Sequence, residues 1–173
     1  MATGKSRRVR EQPIDRLGRE AFINLFLASG RLTAEVEKLC REEGITMSHY
    51  TVLWFLSQRS DSDGVPMGAV IDGHLNRASD ATRLADRLTS LGLIERLSSP
   101  TDRRMVLVRV TDAGRDVFAR LTRRIQALHH EQWSALTPAE LGELRRLLVK
   151  VLWGEGATRG KMHPLAAHEA IPE

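Results

Sequence analysis

Cysteine occurs once in the 173 residues, at Cys40, so no internal disulfide can form and packing alone must hold the fold. A single free thiol suits a reducing compartment. Aromatic residues make up only 5% of the chain, but 42% is hydrophobic and falls in periodic stripes, enough at this length for a core without metal or disulfide. No apolar run approaches the ~20 residues that span a bilayer. The basic start (Lys5, Arg7, Arg8, Arg10) lacks the apolar segment of a secretory signal. These absences predict a cytoplasmic chain with no membrane partner. Also missing are a glycine-rich phosphate loop, a nucleophile elbow and any serine, histidine and acid that assemble into a triad, so the expectation is a non-enzyme without a cofactor. Lysine is confined to positions 5, 38, 150 and 161, and arginine carries most of the positive charge. A net charge of +4 is a weak pointer to polyanions, and the placement of the arginines matters more.

What is present is periodic. Leu17, Ala21, Leu25, Ala28, Leu32, Val36 and Leu39 recur at three- or four-residue steps and predict one long helix over 15–43, stopped by Gly44. Thr46 or Ser48 caps a shorter helix through Leu56, with Val52, Leu53 and Leu56 as its apolar side. After a polar turn at 60–64, Pro66 opens a short helix to about Leu75 as its first helical residue. Another helix runs from Ser79 to Leu91, and Gly92 ends it. The period then changes. Residues 93–97 and 105–110 are aliphatic and β-branched around the turn-forming Ser98-Ser99-Pro100-Thr101-Asp102, which predicts a hairpin. Thr111 caps a long helix to about Leu136, bearing Val117, Leu121, Ile125 and Leu128. Thr137-Pro138-Ala139-Glu140 is a capping box opening a last helix with Leu141, Leu144, Leu148, Val151 and Leu152.

Helix, helix, then hairpin is the winged helix-turn-helix order. The fold class is thus mainly α with a small β-hairpin wing, a winged helix-turn-helix flanked by N- and C-terminal dimerisation helices. One domain covers 15–153, with a DNA-reading lobe at about 46–110, between flexible tails at 1–14 and 154–173. The first and last helices carry apolar stripes that three short helices and a hairpin cannot cover, so a second copy in a symmetric homodimer is expected to supply the missing surface.

On the helix from Ser79 to Leu91, Ala81, Leu84, Ala85 and Leu88 share one side and Ser79, Arg83, Asp86 and Ser90 the other, flanked by Thr82 and Arg87. Hydroxyls and arginines on such a face suit base edges and phosphates in a major groove. By itself the helix fits an ordinary solvated amphipathic helix equally well. The hairpin tips that balance: it holds Asp102, Arg103 and Arg104, and an arginine on a stiff ribbon can enter the electronegative minor groove. Asp102 serves better to orient a guanidinium than to face phosphates.

In Ala81-Thr82-Arg83-Leu84-Ala85-Asp86-Arg87-Leu88, Leu91-Gly92-Leu93-Ile94-Glu95-Arg96, and Asp102-Arg103-Arg104 leading through the strand to Thr111-Asp112-Ala113-Gly114, the chain resembles the MarR family (multiple antibiotic resistance regulators) over about 15–153. The resemblance implies a transcriptional regulator, by family habit a repressor, that binds a pseudo-palindromic operator in double-stranded DNA as a homodimer. It places Ser79, Thr82 and Arg83 at the major groove, Arg87 near the backbone and Arg104 at the wing arginine. It also implies a small-molecule effector between the dimerisation helices and the DNA-reading lobe, for which Phe26, His49, Leu53 and His74 are candidate lining residues; each also fits plain core. Asp80 departs from the small or hydroxylated residue common there. It either selects cytosine or complements the helix N-terminus, and the second reading is preferred.

Two sensor readings fare less well. His129 and His130 are adjacent, about 100° apart on a helix rather than on one face, and His163 and His168 fall in the expected tail, so no metal site is predicted. The hydroperoxide-sensing branch of the family has its cysteine near the start of the first long helix, where this chain has Phe22. Cys40 lies at the far end in phase with Val36 and reads as a small core residue. The alternatives to a DNA-binding regulator are a winged-helix protein-interaction or architectural module, or a metal or redox sensor of the same fold.

Overall fold

The computed structural model describes residues 13–59, 64–72, 78–102 and 105–154, without the side chains at 13, 71–72 and 78–81, and nine elements occur among them. Helix α1 spans Pro13–Glu42, and the chain divides within it into one unit ending at Glu35 and a second beginning at Val36. In the first unit, Phe22 and Phe26 stack with ring centroids 6.4 Å apart. Both are 69% exposed, and Leu17, Ile23, Leu25 and Leu27 are exposed as well.

The second unit begins with the end of α1. Gly44, at φ +75°, turns the chain: its N–H donates to the Arg41 carbonyl, and that of Ile45 reaches back to Cys40. This paired closure leaves Ile45 and Cys40 buried together. Thr46 then caps α2 (Met47–Ser57). Sequence periodicity gave α2 one apolar side, but Trp54 and Phe55 are buried along with Val52, Leu53 and Leu56. A helix enclosed on all sides is the centre of a small core.

The sheet has three strands where the sequence suggested a hairpin. β1 (Val65–Pro66), β2 (Ile94–Ser98) and β3 (Val106–Val110) are antiparallel in the order β1-β3-β2. Pro66 therefore lies in an edge strand opposite Leu107, and α3 (Met67–Asp72) starts one residue later. A proline without an N–H is tolerated at an edge, and two residues are too few to show a period. The expected extension of α3 towards Leu75 passes outside the described residues.

Helix α4 (Ala78–Ser90) ends as α1 does. Gly92, at φ +69°, donates to the Thr89 carbonyl and Leu93 to that of Leu88, which feeds the chain into β2. After β3, Thr111 caps α5 (Asp112–Gln132). Its N–H donates to the Leu93 carbonyl and its hydroxyl to that of Gly92 at 2.7 Å. A Cβ at Gly114 would lie 2.0 Å from the Leu93 carbonyl oxygen, so only glycine lets α5 sit this close to the wing root. Helix α5 stops at Gln132, short of Leu136, and its Leu121 and Ile125 join the core of Leu53, Val70, Leu88, Ile94 and Val108. Helix α6 (Pro138–Trp153) has the expected Thr137–Glu140 capping box and no buried residue.

Candidate nucleic-acid interface

The polar face read from the sequence of α4 exists wherever its side chains are described. Ala85 and Leu88 are fully buried, while Thr82, Arg83, Asp86 and Arg87 are exposed on the opposite side. Ser79 lies in the first turn of α4, but its side chain falls outside the described residues, as does that of Asp80. Arg103 and Arg104 also lie outside them. Asp102 is exposed just before them. Its N–H donates to Ser99 Oγ at 3.3 Å and its carbonyl accepts from Met105 N–H at 2.9 Å, so the backbone turns tightly at the base of the wing tip.

Ion pairs hold the wing in two directions. Across the hairpin, Glu95 stands opposite Arg109, whose Nε and Nη2 donate to Glu95 Oε1 at 3.0 and 2.9 Å. Between wing and helix, Arg96 Nη2 donates to Asp86 Oδ1 at 2.6 Å. The sequence places Asp86 on the polar face of α4 but does not show its pairing with Arg96. Ten residues separate them across a turn, a spacing no helix or strand period reveals. A cleft of about 410 Å³ lies beside this pair, lined by Pro66, Met67, Thr82, Arg96, Met105 and Val106.

Of the residues suggested for an effector pocket, two have described surroundings in the second unit. Leu53 is completely enclosed in the core and His49 is buried. His49 Nδ1 accepts from the Thr46 N–H at 3.1 Å, completing the capping box of α2. Burial holds its pKa below the ordinary histidine value, helped by the positive charge of Arg87 on α4 and opposed by Glu37. Phe26 belongs to the first unit, and His74 lies outside the described residues. Cys40 is buried. Burial, with the nearby charge of Glu37, pushes its thiol up to about 11, which favours the protonated thiol at neutral pH. No group of three or more potential metal ligands occurs among the described residues, and no described helix is long and apolar enough to cross a membrane.

No family model matches the chain. Its sequence is 26% identical over 136 residues to the transcriptional repressor IacR of Pseudomonas putida, covering 78% of this chain and 80% of that protein. It is 42% identical over 72 residues to the multiple antibiotic resistance protein MarR of Escherichia coli, which is 41% of this chain and half of the relative. The crystal structure of a cysteine-to-serine mutant of E. coli MarR in complex with operator DNA superposes with a TM-score of 0.69 at 24% identity, over 82% of this chain and 99% of that one. The chain therefore shares the fold of that MarR structure and is similar in sequence to IacR along most of its length and to MarR over 72 residues.

Proposed function

We propose that the chain is a sequence-specific regulator of transcription, a repressor by family habit, that binds a pseudo-palindromic operator as a homodimer. The observation that carries this is the exposed row of Thr82, Arg83 and Arg87 on α4, opposite buried Ala85 and Leu88 and next to the wing. A helix presented in this way fits the major groove, where hydroxyls and a forked guanidinium read base edges. Ser79 extends the row by one turn, and Arg103 and Arg104 on the wing reach the flanking minor groove, with Asp102 orienting them. Dimerisation is supported by the uncovered apolar surfaces of both end helices. On α6, Leu141, Leu144, Leu148 and Leu152 line an apolar recess of about 650 Å³ with Trp133 and Trp153. Two reading heads place the operator half-sites about one helical turn apart. A small-molecule effector releases the DNA by binding the wrongly spaced dimer more tightly, a coupling typically worth about 1 to 3 kcal/mol. The buried positions of His49 and Leu53 favour the core reading for these two.

The test compares two arginines on the duplex this protein enriches from a random library. Arg83→Ala costs about 1 to 3 kcal/mol on that duplex and much less on a scrambled one, because a paired base contact is lost. Arg104→Ala weakens binding most where the flanks are A·T-rich and lowers the salt slope by roughly one unit. Fluorescence anisotropy at several salt concentrations reads both. If the unmodified protein enriches no duplex, the architectural or protein-binding reading of the fold takes over. If it does, and both variants match it, the assigned surface is wrong.

A further inference from the structure

Resting on the DNA-reading assignment of α4, we infer that Arg96 and Asp86 are a positioning pair that sets the wing against the recognition helix before DNA arrives. The path from α4 to β2 explains why such a pair is needed. The turn through Gly92 and the buried Leu88, Leu93 and Ile94 join helix to strand at the root, while β1 and the buried Leu107 and Val108 anchor β3 on the other side of the hairpin. Beyond the root, the cleft lined by Thr82 and Arg96 opens between α4 and the hairpin, and Met105 and Val106 on the wing side of it are exposed. Among the described residues β2 is an edge strand hydrogen-bonded to β3, so no ladder fixes its angle to α4. Arg96 lies two residues out from that root and reaches back to the middle of α4, where its guanidinium meets Asp86 at 2.6 Å.

Stability is a poor reason for this bond. Its partners are 39% and 56% exposed, and pairs that wet contribute little to folding. Geometry and charge are better reasons. Asp86 shares the exposed face with Arg83, and a carboxylate there without a counter-ion would repel phosphates. Pairing cancels that charge and spans the gap between the two surfaces that must meet adjacent grooves together. A wing held beforehand spares the complex the cost of ordering it.

A double-mutant cycle on the enriched duplex separates positioning from a direct phosphate contact. Arg96→Gln, and the double variant with Asp86→Asn, each lose roughly tenfold in affinity, the same loss in both, with an unchanged salt slope. In the DNA-free protein, amide hydrogen exchange in 94–98 and 106–110 quickens in Arg96→Gln, with α5 unaffected. A salt slope lowered by about one in Arg96→Gln, with additive effects in the double variant, would mark Arg96 as a plain phosphate contact and overturn the inference. So would unchanged exchange in the wing. The exchange arm needs no DNA, so it decides the inference even if the chain proves not to bind a duplex.

Discussion

At the scale of single residues, Gly114 is the most tightly enclosed of the described glycines. The threonine, any two residues and glycine that end the wing motif have a physical basis here. Thr111 uses its hydroxyl twice, donating to the Gly92 carbonyl and accepting from the Gly114 N–H, and Gly114 leaves room for the Leu93 carbonyl. Gly114→Ala puts a methyl group into that oxygen, and the expected cost is about 3 kcal/mol, read as a fall in the denaturant midpoint at constant slope. Gly30→Ala is the control. It is exposed within α1, off the apolar stripe, with nothing near its missing Cβ, so it stabilises by about 0.5 to 1 kcal/mol. Equal effects from the two would remove the steric argument. Cys40 is the opposite kind of residue, chemically capable but enclosed and protonated.

At the scale of elements, caps decide more than periods do. His49 caps α2 only while Nδ1 is unprotonated, because that nitrogen accepts the Thr46 N–H. Its depressed pKa means that the folded state binds fewer protons than the unfolded chain. Its contribution is therefore complete above the ordinary value near 6.5 and is lost as the pH falls below it. Glu42 and Glu43 at the end of α1 are held low by hydrogen bonds from Arg124 and Arg120 on α5, and their contributions are lost only below the ordinary glutamate value. Urea titrations from pH 8 to 5 should show the wild type losing more stability than His49→Gln, which caps without titrating. Parallel curves would rule out the histidine cap as the cause. The same distinction explains what the sequence disclosed. Thr46, Thr111, Thr137, Gly44 and Gly92 marked the helix ends almost to the residue, and the stripe on α4 separated its buried side from its exposed one. β1 escaped notice because two residues have no period, and because Pro66 also suits a helix start. The Asp86–Arg96 pair escaped because tertiary proximity, and no local pattern, brings it together. Trp54 and Phe55 were missed as core because a helix buried all round has no polar face to betray it.

At the scale of the whole molecule, the end helices carry the test of assembly. Val151 and Leu152 are 74% and 65% exposed, so Val151→Glu with Leu152→Glu leaves the monomer's core untouched and charges the proposed dimer surface. Sedimentation should show the dimer's dissociation constant rising roughly thirtyfold or more. A wild-type chain that sediments as a monomer at micromolar concentration would end the two-headed scheme and the palindromic operator with it. Within the second unit, the clasp of Thr111 and Gly114 on the Gly92–Leu93 turn has a mechanical result. Helix α5 has 21 residues, a rod of about 31 Å at 1.5 Å per residue, and its first turn is fastened to the root of the wing. Because Leu121 and Ile125, midway along it, are buried in the core, the rod is a fixed strut, and the wing root takes its bearing from the same core that encloses α2.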